Sequence, residues 1–61
     1  MKFVKITKIN PDGEYGDSIF VNAENVITIE NLSEYFRYRI LMINNTEFFI
    51  DKEDADKIIG V

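Results

Sequence analysis

Tyr35-Phe36-Arg37-Tyr38-Arg39-Ile40-Leu41-Met42-Ile43-Asn44-Asn45-Thr46-Glu47-Phe48-Phe49-Ile50 is the stretch whose reading decides the fold. Successive side chains of a strand point to opposite faces, so Tyr35 to Ile43 sorts cleanly into two rows. Phe36, Tyr38, Ile40 and Met42 form an apolar row that belongs in a core. Tyr35, Arg37, Arg39, Leu41 and Ile43 form the opposite row. Asn44-Asn45 reads as a two-residue connection, because Asn tolerates the left-handed backbone that a type I′ hairpin turn demands. Thr46 to Ile50 is then the returning strand. Its adjacent Phe48 and Phe49 point to opposite faces, which predicts cover on both sides.

Working outward, Asp51 is the expected N-cap of a closing helix whose acidic first turn suits the positive end of the helix dipole. Ile50 and Ala55 are placed for a small hydrophobic staple, and Ala55, Ile58 and Ile59 share one apolar stripe before Gly60 ends the helix. Toward the N-terminus, Val26 to Glu30 is predicted as a strand with Ile27 and Ile29 on one face. Asn22-Ala23-Glu24-Asn25 is a tight or 3₁₀ turn capped by the Asn22 side chain. Ile19 to Val21 is a short strand, Asn10 to Ser18 a loop marked by Pro11, Gly13 and Gly16, and Lys2 to Ile9 a first strand with Val4 and Ile6 on one side. The expected fold is mainly β (β+α): a small curled antiparallel sheet or open barrel of four to five strands with a short C-terminal helix, filling residues 1–61 as a single domain.

Sixty-one residues bury only about 60% of the surface the unfolded chain exposes, so the margin of stability is thin. Small folds compensate with disulfides, metals or self-association. With no Cys and no His, the first route is closed and the second nearly so, and self-association becomes the expectation. An apolar share of 46%, with five Phe and three Tyr, is too rich for a disordered tail. No run approaches the roughly 18 apolar residues of a membrane span, and the N-terminal residues carry no signal-peptide pattern; the expectation is a cytoplasmic protein without membrane contact.

Catalysis is not expected. Ser18 and Ser33 have no His to activate them, and carboxylate pairs such as Asp12 with Glu14 or Asp54 with Asp56 need a pocket that shifts their pKa values. The run Asn10-Pro11-Asp12-Gly13-Glu14 alternates oxygen ligands as a calcium loop does, but Val21 stands where the bidentate Glu belongs, so an Asx-type turn is the reading. No catalytic, metal or cofactor-binding residues are assigned.

The candidate interface is the row Tyr35, Arg37, Arg39, Leu41 and Ile43, since Arg and Tyr retain directional hydrogen bonds while burying area. Leu41 and Ile43, with Phe3 and Ile9, are the candidates for a self-association patch, unless the terminal helix covers them. The chain carries seven basic and eleven acidic residues, a net charge of −4, which disfavours nucleic acid. A nucleic-acid reading has to use Lys2, Lys5, Lys8, Arg37 and Arg39. A second candidate surface is acidic, made of Glu47, Asp51, Glu53, Asp54 and Asp56, and suits an acidic phage or mobile-element protein that modulates a host protein.

Two segments carry a family resemblance: Ile19-Phe20-Val21-Asn22-Ala23-Glu24-Asn25-Val26-Ile27-Thr28-Ile29-Glu30, and Tyr38 through Glu53. Their order of strand, Asn-led turn, strand, long strand, polar turn, strand and acidic-capped helix resembles the small bacterial FlbD-like proteins, whose pattern has an Ile-x-x-Ile-Glu strand where this chain has Val26-Ile27-Thr28-Ile29-Glu30, over about two-thirds of the chain. The resemblance implies a small regulatory or accessory protein working through protein contacts, with no catalytic residues to carry over. The combined expectation is a non-catalytic interaction module that binds a protein partner and self-associates, with a homodimer as the first form to test.

Overall fold

A computed structural model describes residues 1–32 and 37–61. Among these, five strands and one helix follow in the order β1 (Phe3–Ile9), β2 (Tyr15–Asn22), a 3₁₀ turn (Ala23–Asn25), β3 (Val26–Asn31), β4 (Arg37–Met42), β5 (Glu47–Asp51) and α1 (Lys52–Ile59). The positions Tyr35 and Phe36, expected at the start of the long strand, lie outside the described residues, as do Ser33 and Glu34. The mainly β class with a C-terminal helix holds. The strands divide into two antiparallel sheets, β1-β2 and β3-β4-β5, and no barrel closes, because β1 lies against β5 without a hydrogen-bonded ladder between them.

The alternation of β4 places its core row as expected: Ile40 and Met42 are buried and Tyr38 packs against them. Ile6, Ile40 and Ile50 are the largest fully buried side chains, one from each of β1, β4 and β5, so the core fills the space between the sheets. Ala55 and Ile58 complete it from α1. At about 1.5–3 kcal/mol for each fully buried aliphatic side chain, these contacts hold the two sheets together. No helix among the described residues is long and apolar enough to cross a membrane.

Both hairpins use the same turn, and it differs from the two-residue connection expected at Asn44-Asn45. Gly13 N–H donates to Asn10 C=O at 2.8 Å, Asn10 N–H to Glu14 C=O at 2.8 Å, and Glu14 N–H to Asp12 Oδ1 at 2.9 Å. In the second hairpin Asn45 N–H donates to Met42 C=O at 2.9 Å, Met42 N–H to Thr46 C=O at 2.8 Å, and Thr46 N–H to Asn44 Oδ1 at 3.1 Å. The third loop residue is left-handed in each, Gly13 with φ 89° and Asn45 with φ 66°. This is the three-residue loop with a single left-handed position; a type I′ turn needs two, and Asn44 does not supply the second. Because Pro11-Asp12-Gly13 closes so tightly, β2 begins at Tyr15, and the last four residues of the expected loop, Tyr15 to Ser18, are strand.

Two further differences have local causes. The register of β3 against β4 runs Val26 to Met42 and then Thr28 to Leu41, so one extra residue is accommodated in β3. This bulge puts Val26 and Ile29 on the core side and leaves Ile27 57% exposed, where simple alternation pairs Ile27 with Ile29. In α1 the buried stripe is Asp54, Ala55 and Ile58, while Ile59 is exposed. The helix is rolled toward Asp54 because that carboxylate accepts a hydrogen bond from the backbone of β1.

Candidate functional site

The Arg row divides on the outer face of β4. Arg39 stands directly across from Glu30 of β3 and forms an ion pair with it, and its Nη1 lies 4.0 Å from Glu47 Oε2 on β5. Arg37 lies over the Phe49 ring, its guanidinium 5.6 Å from the ring centre, and a Cβ placed on Gly13 would meet its Nη2 at 3.6 Å. Leu41 lines a shallow depression of about 360 Å³ with Thr28, Glu30, Arg39 and Glu47. Ile43 leaves this row for the hairpin loop, and Tyr35 is outside the described residues. The two Arg side chains are thus occupied within the sheet.

The acidic set is scattered. Asp51 caps α1, accepting from Asp54 N–H at 2.9 Å, and accepts from the Tyr15 hydroxyl at 3.2 Å; the Asp51 carboxylate holds the Tyr15 phenol above its usual 10.0. Asp54 is 7% exposed, so its place on an accessible acidic surface is corrected: Oδ2 accepts from Thr7 N–H at 2.9 Å and Oδ1 from Lys57 Nζ at 3.3 Å. Asp56 pairs with Lys52 at 2.9 Å and raises the lysine's pKa. Glu47 belongs to the Arg39 cluster, and Glu53 is exposed. Two of the five carboxylates are thereby structural anchors of the helix.

The basic residues do not gather into one patch. Lys2 and Lys5 are exposed, whereas Lys8 sits over the Phe48 ring with Nζ 5.8 Å from its centre. Ser18 Oγ lies 3.0 Å from Thr7 Oγ1, a cross-strand hydroxyl pair. No group of three or more His, Cys, Asp or Glu side chains among the described residues is arranged to hold a metal ion.

What the fold does assemble is an apolar groove of about 590 Å³ along the outer side of β2. Antiparallel pairing opposes Phe3 with Asn22 and Lys5 with Phe20, so Phe3 and Phe20 are diagonal neighbours on the outer face of the β1-β2 sheet. Ile43 N–H donates to Asn25 C=O at 2.8 Å, which brings the second hairpin loop beside the 3₁₀ turn and makes Ile43 the opposite wall. Phe3, Phe20 and Ile43 are 59%, 68% and 65% exposed, and Ile19, Met42 and Phe48 line the groove between them. Asn22, Asn25, Asn44 and Thr46 supply a polar, uncharged rim. Of the expected self-association set, Phe3 and Ile43 meet here, while Leu41 lies in the other depression and Ile9 pairs with Tyr15. The terminal helix packs on β1, β4 and β5 and leaves Phe3 and Ile43 exposed. Phe20 is the residue sequence reading missed; with Ile19 and Val21 turned inward, alternation alone would have turned it outward.

Compared with known protein families, curated proteins and solved structures, the chain matches none. The fold and site define it by class: a small two-sheet β domain with a helix-sealed core and an exposed aromatic groove.

Proposed function

We propose that this protein is a non-catalytic interaction module that self-associates, forming a homodimer through the Phe3, Phe20 and Ile43 groove. The observation that carries the reading is the concentration of three large, majority-exposed apolar side chains around one groove, on a domain with eight buried apolar core residues among those described. Apolar clusters of this kind on a small fold mark contact sites, and covering them offsets the thin core. A regulatory or accessory role exerted by protein contact, as the FlbD-like pattern implies, is compatible with such a module. Nucleic-acid binding draws less support, because Arg37 and Arg39 are engaged within the sheet and the groove rim is uncharged. Mimicry by an acidic surface draws less support for the matching reason that Asp51 and Asp54 serve the helix cap and β1.

Sedimentation velocity on the wild type and Phe20→Glu tests the reading. Phe20 is exposed in the monomer, so the substitution changes folding stability by no more than about 0.5 kcal/mol. It puts two carboxylates into the shared groove and weakens the dimer about 100-fold or more. A wild type that stays monomeric at every concentration overturns the proposal.

A further inference from the structure

Resting on that reading, we infer that two copies join edge to edge, β2 pairing antiparallel with β2 of the second copy about a two-fold axis at Phe20. The direction of the backbone groups follows from the ladder. Ala23 N–H donates to Lys2 C=O, so residues 2, 4 and 6 face residues 23, 21 and 19 with their hydrogen-bonding groups. Thr7 N–H, which this alternation turns away from β2, is found bonded to Asp54 on that side. The N–H and C=O of Ser18 and Phe20 and the N–H of Asn22 therefore point out of the sheet, the Asn22 C=O being shared with the 3₁₀ turn it caps, and among the described residues no strand pairs with this edge.

Such an edge is a template for another strand. The edge of β3 is a poorer one, since it carries the bulge between Val26 and Thr28 and the charged Glu30. Residues 18–22 of β2 pair with β1 without a register shift and carry no charge. An axis at Phe20 sets Phe20 beside its own copy and Ser18 opposite Asn22. The same axis brings opposite charges together. Asp17 of one copy falls opposite Ala23 of the other, whose cross-strand neighbour is Lys2. Lys2 and the partner's Asp17 are then two strands apart, about 10 Å between backbones, on one face and separated by a small Ala. The two-fold axis makes this pairing twice, and the two Asp17 side chains stay far apart. A second copy is therefore complementary to this edge in hydrogen bonds, apolar contact and charge.

Amide hydrogen exchange followed by NMR, at concentrations above and below dimer dissociation, is the direct test, with Ser18→Pro as the companion variant. Pro at Ser18 removes an outward N–H, together with the exposed hydroxyl contact to Thr7, and leaves Phe3, Phe20 and Ile43 in place. The expected result is that the Ser18, Phe20 and Asn22 amides are protected only in the dimer, and that Ser18→Pro weakens it about tenfold or more. The charge pair gives a second check that spares the backbone: Asp17→Lys weakens the dimer and the double variant Lys2→Asp with Asp17→Lys restores it. A dimer whose three edge amides exchange freely, and which Ser18→Pro leaves intact, overturns edge pairing while the self-association reading stands. A protein that is monomeric throughout overturns both.

Discussion

Asn45 is the residue where the backbone is asked for most. Its φ of 66° lies in the left-handed region, where an L side chain crowds the following carbonyl, and Asn is among the few residues that enter it at modest cost. Gly13 holds the equivalent place in the first hairpin with φ 89°. The two loops share their hydrogen-bond pattern, so they form a natural comparison. Asn45→Gly is expected to stabilise the fold by about 0.5 kcal/mol, raising the melting temperature by roughly 2–4 °C, and Gly13→Ala to destabilise it by about 1 kcal/mol. Calorimetric melts of both variants check this, and a stabilising Gly13→Ala would contradict the turn geometry. The Asn pair was legible as a turn from sequence alone; its loop length was not, because two-residue and three-residue loops share the same turn-forming residues.

Elements are joined at one polar point that no sequence pattern announces. Asp54 stands in the first turn of α1, where an acidic residue is ordinary, yet its carboxylate reaches the Thr7 amide on the side of β1 where no described strand forms a hydrogen-bonded ladder. The same turn is capped by Asp51, which also accepts from Tyr15 on β2. These two carboxylates thus tie the helix to both strands of the first sheet. Asp54→Ala leaves a part-buried N–H without an acceptor and should cost about 1–3 kcal/mol, measured by urea unfolding, whereas Asp54→Asn, which keeps an oxygen acceptor, should cost less. Equal losses in the two variants would show that charge, and not the hydrogen bond, matters at this position. The alternation of β4 and the capping of α1 were readable locally. The bulge in β3 was not, since it follows from fitting Val26 and Ile29 together over the core.

For the whole molecule, the small core and the exposed groove belong to one balance. A domain of this length holds a net stability of roughly 3–9 kcal/mol, so the free energy of joining two copies is a sizeable fraction of the total. Folding and dimerisation are then coupled by mass action: the wild-type melting temperature should rise by roughly 3–5 °C for each tenfold increase in concentration, while Phe20→Glu should melt at a temperature independent of concentration. Scanning calorimetry over a concentration series decides it, and a wild-type midpoint that does not move would argue that the groove makes no contribution to stability.

The order of elements, the inward face of β4, the Asn22 and Asp51 caps and the mainly β class were determined by the sequence itself. Each depends on alternation, turn-forming residues or short-range hydrogen bonds within a few positions of chain. Only the tertiary structure decided that the strands part into two sheets, that Asp54 turns inward, and that Phe3, Phe20 and Ile43 share one groove. Those outcomes rest on contacts between residues far apart in the chain, such as Thr7 with Asp54 and Asn25 with Ile43. Local periodicity says which way a side chain points, but what it meets there is settled only when the elements pack.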